Sequence, residues 1–305
     1  MKEYPVFYEK LNNGITMAYR QVGSCGPKIL MIHGNLSSSA FFQNIMAEFE
    51  DSMTIYAVDL VGMGDSDFVE RDSFYEFAQD VRLFIEAKEL DKFIILGWSM
   101  GGAIGMELAA MMPERVDHLI LTSSVSVKGY TMYGFGGAAL PFMTRRLCSR
   151  EDVEKEPVTV LPVANALKEQ NRSLMKVLWN TLIFNSIAPP PKLFERLLDE
   201  VMKQRNLIDI NTALVTFNMT HENNGAMDGN GRISKIDCPM TIVHGSNDMI
   251  ISYSYARENR QYFKKLKPDF FEIPHCGHAV FIDHPNTFND ILRTQVLGED
   301  IIKSD

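Results

Sequence analysis

The sequence of 305 residues contains few cysteines, and they are scattered. Its four cysteines, Cys25, Cys148, Cys238 and Cys276, form neither a C-x-x-C pair nor a spacing typical of metal ligands. Scattered cysteines of this kind indicate reduced thiols rather than a disulfide framework. We therefore expect a fold without disulfide bonds and without a metal site.

Positive charge and long apolar runs are also scarce. The chain has 30 Lys and Arg against 39 Asp and Glu, which gives a formal charge of −9, and no basic stripe of the kind that binds nucleic acid is visible. No stretch approaches the roughly 20 apolar residues of a bilayer span, and the first residues lack the apolar core of a signal peptide. We predict a cytoplasmic protein that acts on a small molecule, does not bind nucleic acid and does not span a membrane. The oligomeric state stays open, a homodimer included.

The sequence does contain an alternation of short apolar runs and segments of helical period. Two early runs, around VFYEKL and GITMAYRQVG, have no helix between them and predict an antiparallel hairpin at one sheet edge. The later runs are KILMIHG, MTIYAVDL, KFIILGWS, DHLILTSS, MTIVHG and DFFEIP. Several are apolar throughout, as in strands buried on both faces. We predict an α/β fold with a mostly parallel eight-stranded sheet and helices on both faces.

The alternation stops after LILTSSVSV and resumes at ISKIDCPMTIVHG. The residues between them carry helical patterns rich in Met and aromatic residues, including RSLMKVLWNTLIFNS and PPPKLFERLLDEVMKQRN, and a glycine cluster. This segment is too long to be a loop in a compact domain. We predict a helical lid at residues 126–235, inserted into a core formed by residues 1–125 and 236–305.

Ser99 lies between two glycines, in the motif GWSMG, where a strand pattern meets a helix pattern. In a nucleophile elbow such a strained turn exposes the serine hydroxyl, and the glycines relieve the crowding. The alternatives are an ordinary serine in a glycine-rich loop and a phosphate-binding loop, although no G-x-G-x-x-G or G-K-[ST] follows this strand. Ser99 is the predicted nucleophile.

A serine nucleophile needs a base that a carboxylate holds in one tautomer. In the segment EIPHCGHAVFIDHP, His278 follows a glycine just beyond the last apolar run and is the predicted base, with His275 as the alternative. His284 precedes a proline and is typical of a helix cap or a surface histidine. Asp248, in the turn after MTIVHG, is the predicted carboxylate, and an N-cap for the next helix is its alternative role.

The turn HGNLSSS follows the run KILMI, at the strand end where ligands bind in open α/β sheets. A tetrahedral intermediate needs backbone donors directed at its oxyanion. We predict that these are the N–H groups of Asn35 and Met100. His33 is expected to brace the turn around Gly34 by hydrogen bonds, while the Asn35 side chain either braces it too or contacts the substrate.

The order Ser99, Asp248, His278, together with the HGN turn and the segment DLVGMGDSD, resembles the α/β-hydrolase superfamily. The resemblance covers almost all of the predicted core. It implies that the inserted segment covers the active site. A serine nucleophile separates the chain from haloalkane dehalogenases and epoxide hydrolases, which use aspartate. LMIHGNLSSSAFF and GWSMGGAIGMELAAMMPE are locally similar to the α/β-hydrolase-type N-acyl-homoserine lactonases, while carboxylesterases and C–C bond hydrolases share the same core motifs.

These observations predict a serine hydrolase, without a cofactor, that cleaves a small, largely apolar carboxylic ester or lactone through an acyl-enzyme. The alternatives are a C–C bond hydrolase or amidase on the same triad, and a non-catalytic binding or receptor protein on the same fold. Adaptable Met and rigid aromatic residues suit an irregular apolar ligand. The apolar lid residues considered are Tyr130, Met132, Tyr133, Phe135, Phe142, Met143, Trp179 and Phe184. We expect Tyr130 to Phe135, flanked by glycines, to face the substrate, and Trp179 and Phe184 to form the core of the lid.

Overall fold

The computed structural model of the chain describes residues 2–135 and 145–300. Phe142 and Met143, which the sequence places among the apolar residues of the lid, lie outside these ranges. No helix within the described ranges combines the length and the apolar character needed to cross a bilayer.

The secondary structure alternates between strands and helices through most of the chain. The strands are β1 (Phe7–Lys10), β2 (Thr16–Val22), β3 (Lys28–Ile32), β4 (Thr54–Val58), β5 (Phe93–Trp98), β6 (Val116–Thr122), β7 (Tyr133–Gly134), β8 (Arg145–Arg146), β9 (Met240–Gly245) and β10 (Asp269–Ile273). The α-helices are α1 (Gln43–Phe49), α2 (Phe74–Ala87), α3 (Met100–Met111), α4 (Arg150–Glu154), α5 (Leu161–Lys168), α6 (Arg172–Leu182), α7 (Pro191–Val201), α8 (Leu207–Thr216), α9 (Tyr253–Tyr262), α10 (Val280–Asp283) and α11 (Pro285–Leu292). Short 3₁₀ turns lie at Ser39–Phe42, Arg232–Lys235 and Lys264–Leu266, and a π-helical turn lies at Arg293–Leu297.

Eight strands form one sheet in the order β1-β2-β4-β3-β5-β6-β9-β10. β2 pairs antiparallel with β1 and with β4, and the other neighbours pair parallel. Every residue of β4, β5 and β9 is buried, as expected of strands covered on both faces. The predicted fold class, with its antiparallel hairpin at one edge, is confirmed.

The two faces of the sheet belong to two separate apolar cores, because successive side chains of a strand point to opposite faces. Along β3, Leu30 and Ile32 pack in the core that includes helices α2 and α3. Ile29 and Met31 pack in the other core, which includes α1 and α11. Helices therefore cover both faces, and the parallel strands end together at one edge.

The residues between β6 and β9 form an insertion, and residues 126–235 are called the cap below. It contains α4 to α8 and the two-residue ladder of β7 with β8. The predicted helices RSLMKVLWNTLIFNS and PPPKLFERLLDEVMKQRN correspond to α6 and α7, and α7 begins at a proline as expected. The cap packs on the core through aromatic contacts such as Trp179 with Phe41, whose ring centroids are 5.2 Å apart.

Candidate active site

Ser99 occupies the turn between β5 and α3 in a strained conformation, with φ +58° and ψ −121°. Residues other than glycine rarely adopt a positive φ, so the surroundings must hold the turn in place. The Ser99 N–H donates to the Thr122 carbonyl at 3.0 Å, and the Ser99 carbonyl accepts from the N–H groups of Gly102 at 3.1 Å and Val125 at 3.3 Å. The end of β6 thus fixes the turn that carries the hydroxyl.

The glycines on either side of Ser99 permit a close approach of backbone to backbone. A Cβ atom on Gly97 would lie 2.5 Å from the Gly101 carbonyl oxygen, and one on Gly101 would lie 2.2 Å from the Ile32 carbonyl oxygen. Both distances are far below van der Waals contact, so larger residues would push α3 away from β3 and β5. The spacing of the GWSMG motif therefore has a direct steric cause.

His278 and Asp248 form a buried pair beyond the ends of β10 and β9. The His278 Nδ1 atom lies 2.8 Å from Asp248 Oδ2. The other carboxylate oxygen, Oδ1, accepts from the N–H groups of Ile250 and Ile251, both at 2.8 Å. Because a carboxylate only accepts, Nδ1 of His278 carries the proton and its Nε2 has a lone pair available. The Trp98 indole N–H also donates to the His278 carbonyl at 3.0 Å.

The surroundings of Asp248 keep its carboxylate charged. Burial alone would raise the pKa of this group, but the charge and hydrogen bond of His278, with help from His244 and the Ile251 N–H, lower the pKa below its ordinary value. His244, completely buried, places Nε2 3.8 Å from Asp248 Oδ2 and 2.9 Å from the Ile251 carbonyl oxygen. His244 is not among the residues predicted from the sequence, although it stands four residues before Asp248 in the same segment.

Ser99 and His278 border one cavity of about 420 Å³ at the carboxyl edge of the sheet. The core also contributes Asn35, Leu36 and Ile250 to its lining. The cap contributes Val158, Thr159, Pro162, Val163, Leu174, Leu178, Trp179, Leu182 and Ile183. The cavity therefore has polar groups at the core end and a wall from the cap that is apolar except for Thr159, as is common for sites that bind small organic ligands.

Hydrogen bonds fix the turn after β3, next to Ser99. The Gly34 carbonyl accepts from His33 Nδ1 at 2.8 Å and from the Ser37 hydroxyl at 2.7 Å. In a planar trans peptide this carbonyl points opposite to the N–H of the following residue, so the two bonds also set the direction of the Asn35 N–H. The hydrogen bonds expected of His33 are present.

His33 is held as a neutral imidazole of one tautomer. Its Nδ1 faces a carbonyl and therefore donates, while its Nε2 accepts from the Leu60 N–H at 3.1 Å. Burial lowers the pKa of His33, although the charge of Asp59 and the Gly34 carbonyl act in the opposite direction. A protonated His33 would lose the bond from Leu60.

We expect His33 to be neutral at pH 7, with its proton on Nδ1, and to take up a second proton at a lower pH than an ordinary histidine. Its pKa in the folded state lies below the ordinary 6.5, so the unfolded chain takes up the proton first. The contribution of His33 to the free energy of unfolding is therefore complete above about pH 6.5 and decreases as the pH falls below it. Long-range ¹H–¹⁵N NMR of the ring, compared with the variant His33→Gln for assignment, measures the tautomer. An imidazolium signal from His33 at pH 7 would contradict this expectation.

A comparison of the whole sequence with known protein families agrees with this architecture. A family model described as the alpha/beta hydrolase fold matches residues 27–285. The chain belongs to the α/β-hydrolase fold family. The resemblance found in the motifs is thereby confirmed, and the match extends across the cap.

Several relatives of this α/β hydrolase are enzymes. A pimeloyl-[acyl-carrier protein] methyl ester esterase of Nitrosomonas europaea is 23% identical over 263 residues, covering 86% of this chain and 93% of the esterase. A 2-hydroxy-6-oxo-6-(2'-aminophenyl)hexa-2,4-dienoic acid hydrolase of Metapseudomonas resinovorans is 25% identical over 302 residues, covering 94% and 90%. The solved structure of an esterase from Exiguobacterium antarcticum superposes with a TM-score of 0.74 at 18% identity, covering 95% and 98%. The relatives thus include a methyl ester esterase and a hydrolase of a dienoic acid.

The α/β hydrolase places its glycine-flanked cap residues differently from the prediction. Tyr130, Met132, Tyr133 and Phe135 are not among the described residues that line the cavity. The Tyr130 hydroxyl donates to the Ile250 carbonyl at 3.0 Å, so Tyr130 supports the cavity from behind. Met132 packs in a small apolar cluster of the cap, while Tyr133 and Phe135 are 49% and 39% exposed.

Close packing around the glycines explains this difference. Gly129 has φ +87°, and a Cβ atom there would lie 2.3 Å from the Phe217 carbonyl oxygen. A Cβ atom on Gly134 would lie 2.7 Å from Glu156 Cγ. These glycines therefore permit close contact within the cap, where the residues beside them were expected to face the substrate.

Helix α6 supplies much of the apolar wall instead. Leu174, Leu178 and Leu182 follow one another at intervals of four residues and all line the cavity. Trp179 was expected in the core of the cap; it is 2% exposed and lines the cavity as well. Phe184 packs against Phe194 inside the cap, with ring centroids 5.4 Å apart. The leucine spacing is a signal of one shared helix face that was available in the sequence.

An acidic cluster in this α/β hydrolase has the geometry of cation ligands. It consists of Glu70, Asp72 and Asp209. Arg150 forms ion pairs with all three of them. The guanidinium supplies the positive charge that a bound cation would bring, so the cluster is explained as an ion-pair network between core and cap.

Proposed function

We propose that this α/β hydrolase is a serine hydrolase that cleaves a small, largely apolar carboxylic ester or lactone through an acyl-enzyme. The observation that carries the proposal is the buried His278–Asp248 pair, whose histidine borders the same apolar-walled cavity as the strained Ser99 turn. Serine acyl transfer requires a serine, a histidine that can accept its proton and a carboxylate that orients the histidine.

The reaction follows from the donors and acceptors in the site. His278 Nε2 takes the Ser99 hydroxyl proton while the serine oxygen attacks the substrate carbonyl carbon. The negative charge that develops on the carbonyl oxygen is accepted by the N–H groups of Asn35 and Met100; Met100 opens α3, where amides have no partner within the helix. The imidazolium returns the proton to the leaving oxygen. Water, deprotonated by His278, then attacks the acyl-enzyme and releases the carboxylate.

The lining of the cavity supports an apolar acyl group. Apart from His278, none of the described lining residues has an ionisable side chain, and the residues that the cap contributes are aliphatic except for Trp179 and Thr159. A charged acyl group would lose its hydration there without gaining an ion partner, which is costly. The polar residues of the core, Asn35, Ser99 and His278, lie at the end where the scissile carbonyl must lie.

We expect kcat/KM to rise with acyl length in a series of p-nitrophenyl esters from two to twelve carbons. Each methylene buried against the cap wall contributes up to about 0.8 kcal/mol, nearly fourfold in kcat/KM, until the cavity is full. Homoserine lactones with the same acyl groups, matched amides and a vinylogous 1,5-diketone, measured beside the esters, identify the bond that is cleaved. A sharp preference for acetyl over every longer chain, or for charged acyl groups, would contradict the proposed substrate class.

A pair of variants on α6 tests whether the cap wall selects the chain length. Leu178→Phe adds volume inside the cavity, so the best substrate should become shorter by several carbons. Val177→Phe is the matched control, because Val177 is 60% exposed on the same helix and should leave the length profile unchanged. Equal profiles for both variants would place the acyl group elsewhere.

A further inference from the structure

We infer that Gln204 is a positioning residue of the proposed hydrolysis, through which the cap holds the oxyanion turn of the core. The inference depends on the proposed function. Gln204 lies in the cap between α7 and α8 and is 3% exposed. A glutamine buried to this extent must use its amide in hydrogen bonds, and both of its ends reach the turn after β3.

The side-chain amide of Gln204 spans two consecutive residues of the turn. Its Oε1 accepts from the Leu36 N–H at 2.7 Å, and its Nε2 donates to Asn35 Oδ1 at 2.8 Å. Asn35 Oδ1 also accepts from the Leu36 N–H, at 3.0 Å. These three bonds tie the Asn35 side chain, the Leu36 backbone and the cap into one unit.

The conformation of Leu36 depends on this support. Its φ is +55°, in the left-handed region that costs a leucine about 1 kcal/mol or more. Leu36 lines the cavity, so this position has an apolar side chain although a glycine would adopt the positive φ without strain. Two acceptors on one N–H compensate for the strained backbone and hold residues 35 and 36 in a single arrangement.

Gln204 is itself fixed, because its neighbours attach the cap to the loop after β4. Lys203 Nζ lies 3.0 Å from both carboxylate oxygens of Asp65. The Arg205 N–H donates to the Gly62 carbonyl at 2.8 Å, and Asn206 Nδ2 donates to the Val61 carbonyl at 2.7 Å. The Gln204 amide is therefore presented from a rigid segment.

The Asn35 N–H is thus oriented from two sides. His33 and Ser37 hold the preceding carbonyl from the core, and Gln204 holds the Asn35 side chain and the following peptide from the cap. An oxyanion donor acts on charge that develops only in the transition state. Loss of Gln204 should therefore lower kcat and leave KM nearly unchanged.

The test compares Gln204→Leu, which removes both bonds, with Gln204→Glu, which keeps an acceptor for the Leu36 N–H and loses the donor to Asn35. We expect kcat for the best ester to fall about 10- to 100-fold in Gln204→Leu, less in Gln204→Glu, with KM within twofold. The Ki of a trifluoromethyl ketone analogue, which forms a tetrahedral adduct, should rise by the same factor as kcat/KM falls. Rates are normalised to the active fraction by active-site titration, so partial unfolding cannot produce this correlation.

Arg196→Gln is the matched control. It removes another bond between cap and core, the ion pair with Glu3 at 2.9 Å, without contacting residues 35 or 36 or the segment that holds Gln204, and should leave kcat and Ki at the wild-type values. A Gln204→Leu variant with kcat and Ki within twofold of wild type, or with a change in KM alone, would overturn the inference. If Gln204→Leu does not fold, Gln204→Glu decides by the same criteria. Failure of the proposed function is distinct, because the wild type itself would then show no Ser99-dependent turnover.

Discussion

Ser99→Ala is expected to lower kcat by about 10⁴- to 10⁶-fold, because the acyl-enzyme can no longer form. His278→Ala should cost a similar factor, and the double variant little more, since the two groups act in one step. Intact mass after treatment with a fluorophosphonate measures the nucleophile directly. One adduct is expected on the wild type, none on Ser99→Ala, and one on the control Ser254→Ala, whose serine is exposed on α9.

An adduct that persists in Ser99→Ala would assign the nucleophile to another residue. A wild type that forms no adduct and turns over none of the esters, lactones, amides or diketones would favour the alternative of a binding protein on this fold. The two results can be distinguished. The first would change the identity of the nucleophile, while the second would mean that the protein is not a hydrolase of these substrates.

Asp248→Asn is expected to lower kcat by about 10⁴-fold while the protein stays folded. The N–H groups of Ile250 and Ile251 both donate to one carboxylate oxygen, so the amide oxygen of an asparagine must take that position. Its NH₂ group would then face Nδ1 of His278 as a donor. This forces the His278 proton onto Nε2, where the imidazole can no longer accept the proton of Ser99.

Ring ¹⁵N NMR of His278 provides the corresponding structural measurement, with the proton on Nδ1 in the wild type and on Nε2 in Asp248→Asn. Asp237→Asn, an exposed carboxylate just before the same strand, is the control and should retain full activity. Nearly full activity of Asp248→Asn would mean that Asp248 only stabilises the turn through Ile250 and Ile251. The change of tautomer without loss of rate would remove His278 from the proposed mechanism.

Local sequence was sufficient to predict the sheet and the two turns that contain the GWSMG and HGN motifs. Continuous apolar runs become strands buried on both faces because only such residues can lose water on both sides. The GWSMG motif predicts a sharp turn because its glycines permit backbone contacts that a Cβ atom would block. The HGN turn is similarly local, since His33, Gly34 and Ser37 bond to one another within five residues.

The residues that form the wall of the cavity could not be predicted from local sequence. An amphipathic helix such as α6 has one apolar face, but periodicity does not say whether that face meets a core or a cavity. The docking of the cap on the core turned Leu178 and Trp179 towards Ser99, and close packing at Gly129 kept the Tyr130 segment behind Ile250. Both outcomes depend on contacts between distant parts of the chain.

The sequence by itself determined the order of the candidate residues along the chain, Ser99, Asp248 and His278, each in a turn after an apolar run, and it indicated the turn after β3 that His33 braces. The bonds within that turn join near neighbours, which is why a short motif was enough to predict them. Only the tertiary structure decided which apolar residues line the cavity next to Ser99 and which cap residue bonds to Asn35. Gln204 and Leu36 are 168 positions apart, and no local pattern specifies a hydrogen bond across that distance. It forms because the cap docks in one position on the core.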